Sequence, residues 1–552
     1  MSANPCADQN CESGPRPAVP ANPRAVIIVR ALIQPDTDWL AANPDERMVD
    51  EDGRALRMWS VASRPGRRHA LSVLARLIRH MNDVFPDHFG GVHPLGQSTA
   101  EWFYERSQFK LTGYDHATRD AWREWRRAKG LAGWETAEVP SPALRRKRTE
   151  GSCFLDPASQ SEVIAFNTFL QDDMTDWLGE LTGAVRSLTN GRKLCLLFYG
   201  YGFDFLSNGP APAMTGHYGV ARLLDQHASD IDILCAPISY INRGWTGTAM
   251  MMGASETVER YGVMWFDEND ARTCRAKCDA ANSGPALCLQ TRQKTLDVLR
   301  RDTTREAVRN IGAWWLDLQV RGWYDDVEFW KVLDDLRDFD RKAMARKRPF
   351  RPEMALIIDE ESVLHLGAGM VAETGVLVHF RRAASLIGAP FGQYLLSDVK
   401  RRPLDAKFEV HLATWFATPD SPRPGVSRLF VQVPGAPAPV NLGVNDTVLS
   451  AKELVPSYEP EVLDAFRPER FYDLARMAGV HLYLERKDIG KAVVWADSDL
   501  VAVQAREDCE LDLHLPGGRI RRERFREGEL KSFSADESIH FRKISSLQRF
   551  DL

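Results

Sequence analysis

Residues 193–200, KLCLLFYG, form a short apolar run of a kind that recurs along the first two thirds of the chain. Similar runs follow at 231–237, IDILCAP, and at 263–268, VMWFDE, and a longer stretch separates each run from the next. Short apolar runs that alternate with helix-length segments are typical of a parallel sheet covered by helices. The alternation predicts an α/β fold of the (β/α)8, TIM-type barrel class.

The same pattern extends outward from these runs, over residues 24 to about 345. The predicted strands are 25–30, 56–61, 89–95, 193–200, 231–237, 263–268 and 311–318. Between them, residues 69–84 and 117–129 carry apolar side chains at three- and four-residue intervals, as surface helices require. Seven strands are one fewer than a closed barrel needs, so one βα unit is missing from the count.

A second and a third pattern follow the charged segment 335–351. Strand-like runs at 354–358, 392–396 and 408–412, with a helix candidate at 376–386, predict a small α/β domain. Short alternating runs at 482–484, 492–495, 500–505 and 511–515 predict a β-sandwich. We therefore expect a Pro-rich, disordered tail at 1–23, a barrel at 24–350, an α/β domain at 351–465 and a C-terminal sandwich at 466–552.

Composition narrows the class of protein. Hydrophobic residues at 44% and charged residues at 27% are close to the averages of water-soluble globular proteins. The 71 basic and 76 acidic residues form no sustained basic face, so no nucleic-acid partner is expected. The longest apolar runs are far shorter than the roughly 18 residues of a membrane helix. The first 23 residues lack the features of a secretory signal, which predicts a cytoplasmic protein without membrane contact.

The nine cysteines are only a weak indication of a metal site. Cys195 and Cys235 lie inside apolar runs, where a buried free thiol is the ordinary outcome. Cys274, Cys278 and Cys288 are closer together, but they lack paired C-x2-C spacing and a neighbouring histidine. We expect no metal and no cofactor, and the sequence leaves the role of these three cysteines open.

Active-site groups of a barrel come from the C-terminal ends of its strands, where the following loops meet over one mouth. The polar and aromatic residues at the predicted strand ends are Arg30, Ser60, Glu101, Tyr199, Tyr201, Ser239, Tyr240, Arg243, Glu268, Asp270, Arg272, Trp314, Trp315 and Asp317. Carboxylates, arginines and aromatic rings together are typical of a sugar site. A phosphorylated substrate is disfavoured, because no glycine-rich loop follows the last strands.

Six segments also carry a resemblance to a known family. They are GQSTAEWFY, FYGYGFDF, TGHYGVARLL, DIDILCAPISYINRG, WFDENDART and IGAWWLDLQVRGWY. In this order they resemble segments of bacterial glycoside hydrolases of clan A that are related to the family 42 β-galactosidases. The resemblance spans most of residues 24–515. It implies a retaining glycosidase, a flavodoxin-like second domain of the kind that mediates trimers, and therefore a homo-oligomer, trimer or dimer.

The resemblance also implies roles for individual residues. Glu101 in AEWFY matches the acid/base, Glu268 in FDEND matches the nucleophile, and Arg30 matches an arginine that touches the nucleophile. The residues themselves agree with this interpretation, because the aromatic run 102–104 would desolvate Glu101 and raise its pKa. Strand alternation turns Asp267 to the opposite side from Glu268.

Further contacts are predicted around this pair. The candidates for substrate binding are Arg30, Tyr199, Tyr201, Tyr240, Arg243, Trp315 and Asp317. We expect Asp270 to pair with Arg272, and His217 to serve as a hydrogen-bonding residue at a helix start. The chain departs from clan A at Ala100, where an asparagine usually binds the sugar 2-hydroxyl. It also has the Pro-rich tail where the relatives have their first strand and helix.

The sequence thus predicts a retaining glycoside hydrolase that cleaves a β-linked, galactoside-like sugar by double displacement. The alternative is a non-catalytic carbohydrate-binding protein derived from such a barrel. A lyase or isomerase acting on sugar acids would need a metal-binding carboxylate cluster or a lysine base at a strand end, and the sequence offers neither. The sugar and its linkage stay open.

Overall fold

The computed structural model describes residues 22–534 except 108, 148, 204–211, 277–287, 319, 347–348, 368–373, 452–466 and 498–499. The predicted tail lies almost wholly outside these residues, as does the predicted boundary at 465. The strands are β1 Ile27–Leu32, β2 Arg47–Val49, β3 Ala55–Trp59, β4 Phe89–Leu95, β5 Leu194–Phe198, β6 Ile233–Pro237, β7 Met264–Asn269, β8 Gly312–Trp315, β9 Met354–Ile358, β10 Phe391–Leu395, β11 Phe408–Ala413, β12 Ser427–Gln432, β13 Asp446–Ser450, β14 Ala492–Asp497, β15 Leu500–Ala505, β16 Cys509–Leu515, β17 Arg519–Phe525 and β18 Leu530–Ser534.

The α-helices of the described residues pack around and between these strands. They are α1 Thr37–Ala42, α2 Arg64–Val84, α3 His116–Ala128, α4 Pro142–Arg146, α5 Ser161–Leu188, α6 Val220–His227, α7 Ser255–Arg260, α8 Arg292–Arg309, α9 Val327–Met344, α10 Glu360–Val363, α11 His379–Ser385, α12 Leu396–Arg401 and α13 Pro468–Met477. The helix predicted at 69–84 is the end of α2, which begins earlier because Ser63 caps it by accepting a hydrogen bond from Gly66 N.

Six strands form the parallel sheet of the TIM-type barrel, in the order β1-β4-β5-β6-β7-β8. The central strand β6 is buried along its whole length, which explains its continuous apolar run. The sheet is strongly curled, since the rings of His93 on β4 and Trp314 on β8 lie 5.6 Å apart across its interior. In the part of the chain that the structure describes, β1 and β8 are the two edges and do not pair with each other.

The strand predicted at 56–61 is not a barrel strand. It is present as β3, but β3 pairs antiparallel with the three-residue strand β2, outside the six-stranded sheet. The described barrel is therefore two strands short of eight, not one. Along β3, exposed and buried residues alternate over the first four positions, because the hairpin leaves one face of the strand open to solvent.

The second sheet is parallel and five-stranded, in the order β10-β9-β11-β12-β13. In chain order this is 2-1-3-4-5, the flavodoxin-like arrangement that the resemblance implies. The three predicted strands are confirmed to within a residue. The helix predicted at 376–386 is a π-helical turn, Thr374–Val378, that continues into α11.

The C-terminal strands form a three-stranded antiparallel sheet, β14-β15-β18, and a hairpin, β16-β17. Side chains of both share one apolar core, with Val494 and Val503 from the sheet and Leu511 and Leu513 from the hairpin. This is the predicted β-sandwich. The strand predicted at 482–484 is wrong, since those residues form no strand.

A search of the described helices finds none that combines the length and the apolarity needed to cross a membrane.

Candidate active site

Glu268 lies near the C-terminal end of β7 and is 4% exposed. Alternation along the strand separates it from its neighbour Asp267, which is fully buried on the other face. There Asp267 pairs with Arg305 of α8 and accepts a hydrogen bond from Trp265 Nε1 at 2.9 Å. The strand is thus fixed from behind, and Glu268 faces the barrel interior.

Two donors hold the carboxylate of Glu268. Arg30 Nη1 donates to Oε2 at 3.2 Å and Trp314 Nε1 donates to the same oxygen at 2.9 Å. The indole is in reach because the register of β7 and β8 pairs Glu268 with Trp314. Burial raises the pKa of Glu268 to about 7, an effect that the Arg30 charge opposes and the Asp270 charge reinforces.

Glu101 lies in the loop that follows β4, and this loop is strained. Five of its non-glycine residues have positive φ: Gln97 (58°), Thr99 (57°), Ala100 (67°), Trp102 (64°) and Arg106 (60°). Left-handed backbone is unfavourable for residues with a Cβ and is concentrated at functional sites. The buried indole of Trp102 anchors the loop by donating to Pro94 O at 3.1 Å.

Hydroxyl groups contact the carboxyl of Glu101. Thr99 Oγ1 donates to Oε2 at 2.8 Å, and Tyr201 OH donates to Oε1 at 3.3 Å. His217 Nε2 lies 3.0 Å from the carbonyl oxygen of Glu101 and so fixes the backbone rather than the carboxyl. Desolvation by the surrounding protein raises the pKa of Glu101 to about 7, Thr99 opposes this shift, and the charge of Glu268 adds to it.

The charge of Glu268 acts on Glu101, and both carboxyl groups act on Tyr201. The charge of Glu268 raises the pKa of Glu101. The pKa of Tyr201 is raised mainly by burial of its phenol, and the charges of Glu101 and Glu268 add to this effect. Beneath them the interior is aromatic, with the rings of His93 and Phe198 4.6 Å apart and those of Phe198 and Trp314 5.7 Å apart. The structure therefore brings both glutamates to one mouth with an apolar floor.

The loop after β6 brings Tyr240 and Arg243 to this mouth. The Arg243 guanidinium stacks 4.1 Å from the centroid of the Tyr240 ring and pairs with Asp270. The predicted pairing of Asp270 with Arg272 is wrong, since Arg272 lies over the Trp323 ring at 5.5 Å.

Three residues predicted to contact the substrate make other contacts in the structure. Tyr199 is fully buried and donates to Gly216 O at 2.7 Å. The Asp317 carboxylate accepts hydrogen bonds from the backbone N–H groups of residues 321–323 and so shapes the loop after β8. Trp315 packs edge-on against Tyr324. These three side chains thus make structural contacts, and their roles in substrate binding stay predictions.

Sequence reasoning missed Trp314 and Thr99 as partners of the two glutamates. The strand-end pattern favours neither indole over the other, whereas the register of β8 against β7 places Trp314, and not Trp315, beside Glu268. Thr99 is two residues from Glu101, and only the left-handed turn between them folds its hydroxyl back onto the carboxyl. No pattern in the sequence signals such a turn, because glycine is absent from it.

The described residues contain no group of three or more His, Cys, Asp or Glu side chains placed to hold a metal ion. Of the cysteines considered as zinc ligands, Cys288 is disulfide-bonded and Cys274 is a free thiol. Cys278 lies outside the described residues. A cysteine in a disulfide is not available as a zinc ligand. Disulfides are uncommon in the cytoplasm, and the cytoplasmic location stays a prediction.

The sequence matches no protein-family model and no curated protein. Its fold, in contrast, matches solved structures over nearly the whole chain. The β-galactosidase of the psychrophilic Marinomonas ef1 superposes with a TM-score of 0.57 at 11% identity, over 92% of this chain and 90% of that chain. A catalytic mutant of Gan42B, a GH42 β-galactosidase from G. stearothermophilus, gives a TM-score of 0.56 at 10% identity, over 97% of this chain and 91% of that chain.

A GH42 exo-carrageenase from Bacteroides ovatus gives 0.56 at 9% identity, over 92% of this chain and 74% of that chain. At sequence identities this low, the comparisons show the fold alone. The resemblance seen in the six sequence segments is confirmed at the level of the fold, and the chain has the fold of the family 42 glycoside hydrolases.

Proposed function

We propose that this protein is a retaining glycoside hydrolase that cleaves a β-linked, galactoside-like sugar, with Glu268 as nucleophile and Glu101 as acid/base. The observation that carries the proposal is the pair of carboxyl groups at one barrel mouth, each with its pKa raised to about 7 and each held by different donors. Two carboxyl groups at the scissile bond are the common requirement of glycoside hydrolysis.

The donors distinguish the two roles. Glu268 receives hydrogen bonds from a guanidinium and an indole N–H, which stabilise a carboxylate, whereas the donors to the Glu101 carboxyl among the described residues are hydroxyl groups. When the pair shares one proton, that proton therefore resides on Glu101. The ionised Glu268 is then ready to attack the anomeric carbon while Glu101 protonates the departing oxygen.

The coupling between the two groups serves the second step. Once Glu268 forms an ester with the sugar, its negative charge disappears, and with it one of the causes that raise the pKa of Glu101. Glu101 then releases its proton more readily and acts as the base that activates water. We expect a carboxyl separation of about 5–5.5 Å in the ligand-bound enzyme, as retention requires.

The test is a panel of chromogenic β-glycosides with the native chain, followed by NMR of the first anomer formed. We expect hydrolysis of a β-galactoside-like substrate with the β-anomer appearing first. An α-anomer would contradict the retaining mechanism.

One observation favours the alternative, a non-catalytic carbohydrate-binding protein. Within the described residues the barrel sheet is open between β1 and β8, so one wall of the mouth lacks strands. A folded chain that binds sugars but hydrolyses no activated glycoside of the panel would support this alternative. The trimer or dimer stays a prediction, which sedimentation analysis would test.

A further inference from the structure

Residues 215–218, which lead into helix α6, support the loop that carries Glu101. The Phe103 ring of that loop stacks on the His217 imidazole, with the ring centroids 4.0 Å apart. Tyr104 N donates a hydrogen bond to the carbonyl oxygen of the segment's first residue at 3.3 Å. We call residues 215–218 the support segment, because the backbone around Glu101 packs on it.

His217 makes the contact with Glu101 itself, and its tautomer is fixed. Its Nδ1 accepts hydrogen bonds from Gly200 N at 3.2 Å and from Tyr201 N at 3.4 Å, so the proton of the neutral ring lies on Nε2. Nε2 therefore donates to the carbonyl oxygen of Glu101 at 3.0 Å. Burial lowers the pKa of His217 to about 3, so the ring stays neutral near neutral pH.

Helix α6 begins directly after the support segment, and its N-cap residue, Gly219, has no side chain with which to cap it. A Cβ at this position would lie 2.6 Å from Thr175 Cγ2 and 3.0 Å from Tyr199 OH. The serine, threonine, aspartate or asparagine that usually caps a helix therefore has no room here. The first N–H groups of α6 need an acceptor from another part of the chain.

Glu360, at the start of α10 in the flavodoxin-like domain, supplies this acceptor. Its Oε1 accepts a hydrogen bond from Val220 N at 2.8 Å, and its Oε2 accepts one from Ala221 N at 2.9 Å. A carboxylate is favourable at the N-terminus of a helix. Burial raises the pKa of Glu360 to about 7, and the two hydrogen bonds oppose this rise. One carboxyl group of the second domain thus holds the start of α6, shortly after His217.

We propose that Glu360 is a positioning residue for the acid/base: by capping α6 it fixes the support segment, and His217 of that segment holds Glu101 in place to protonate the leaving group. The inference rests on the proposed function, since it gives Glu360 a role in the step that needs Glu101. It also gives the flavodoxin-like domain a part in catalysis that is transmitted through the barrel.

The test compares Glu360→Ala with Glu361→Ala, which changes an exposed carboxylate on the same helix. For each variant of the full-length chain, kcat/KM is measured with a dinitrophenyl and with a phenyl β-glycoside. Dinitrophenolate departs without a proton, whereas phenolate needs one, so a misplaced acid slows the phenyl substrate more. A smaller folded fraction would lower both rates by the same factor and leave their ratio unchanged.

We expect Glu360→Ala to lose about tenfold more on the phenyl than on the dinitrophenyl substrate, and Glu361→Ala to behave like the native chain. Glu360→Gln, which keeps one acceptor oxygen, should show the same pattern to a smaller extent. In a Glu101→Ala background, Glu360→Ala should not change the ratio further. Equal losses on the two substrates, or an undiminished change of the ratio in the Glu101→Ala background, would overturn the proposal.

A second measurement does not depend on activity. In protein labelled with ¹⁵N-histidine, the Nε2–H signal of His217 is identified by its loss in His217→Gln. We expect this signal to shift and to exchange faster with solvent in Glu360→Ala, but not in Glu361→Ala. An unchanged signal in Glu360→Ala would overturn the positioning role alone. A folded native chain that hydrolyses no glycoside would instead contradict the proposed function, while a shifted signal would still support Glu360 as the residue that positions Glu101.

Discussion

The two candidate catalytic segments differ in how the chain holds them. Glu268 lies on a regular strand whose register and rear ion pair fix it, and its carboxylate meets a guanidinium and an indole. Glu101 lies on a loop with five left-handed residues and meets two hydroxyl groups. Both carboxyl groups have a pKa of about 7, so their hydrogen-bond partners, rather than burial, distinguish the proposed nucleophile from the proposed acid.

The largest effect is expected from the rigid segment. Glu268→Gln keeps the size of the side chain but removes the proposed nucleophile, and kcat/KM for an aryl β-glycoside should fall at least ~10³-fold, about 4 kcal/mol of transition-state stabilisation. Glu105→Gln, on the loop beside Glu101, is the control and should change the rate little. Comparable losses in both variants would remove the basis for singling out Glu268.

The loss of activity on replacing Glu101, in the strained loop, should depend on the leaving group. Glu101→Ala removes the proposed proton donor, and a general acid contributes roughly 10²–10⁴-fold to such reactions. We expect a loss of this size for an unactivated disaccharide and a much smaller loss in the glycosylation step of a dinitrophenyl glycoside. Equal losses for the two substrates, measured as kcat/KM, would speak against an acid role.

Arg30 offers a test of the difference in partners. Its charge lowers the pKa of Glu268, so without it that pKa rises and the carboxylate forms only at higher pH. In Arg30→Met the acidic limb of the pH–kcat/KM profile should therefore move to higher pH, with a loss on the order of tenfold at neutral pH. Trp314→Phe should shift the limb less in the same direction, and Arg272→Met should leave it in place. A shift toward lower pH in Arg30→Met would contradict the assignment.

The smallest effect concerns loop strain. Ala100 has a φ of 67°, a conformation that costs a residue with a Cβ roughly 1–2 kcal/mol. Ala100→Gly should raise the free energy of unfolding by about 1 kcal/mol in urea titrations, whereas Ala121→Gly within α3 should lower it by a similar amount. A destabilised Ala100→Gly variant would show that the loop is not strained at this residue.

The contrast between the segments also explains what the sequence could predict. Apolar runs that end in a charged residue identify buried parallel strands, and this is why β7 and Glu268 were predicted together. The hairpin strand β3 has a similar run, but its partner β2 is only three residues long and leaves no recognisable signal. A local pattern cannot distinguish a strand that joins the large sheet from one that pairs with a short neighbour.

Side-chain pairs between residues far apart in the sequence could not be predicted for the site either. Asp270 was matched with Arg272, two residues away, because sequence reasoning favours near neighbours, yet its partner is Arg243 on another loop. Arg243 in turn depends on Arg301, which donates to the carbonyl oxygens of residues 243 and 244 at 3.0 and 2.6 Å. Such arrangements follow from the packing of α8 against the loop, which no short motif encodes.

Azide rescue assigns the two roles most directly. In Glu268→Gly the space of the missing nucleophile admits azide on the face opposite the leaving group, so an activated β-glycoside should yield the α-glycosyl azide. In Glu101→Ala the glycosyl-enzyme still forms, and azide should release the β-glycosyl azide. Proton NMR coupling constants of the two products identify their configurations. The account predicts α from Glu268→Gly and β from Glu101→Ala, and the reverse pair of products would contradict it.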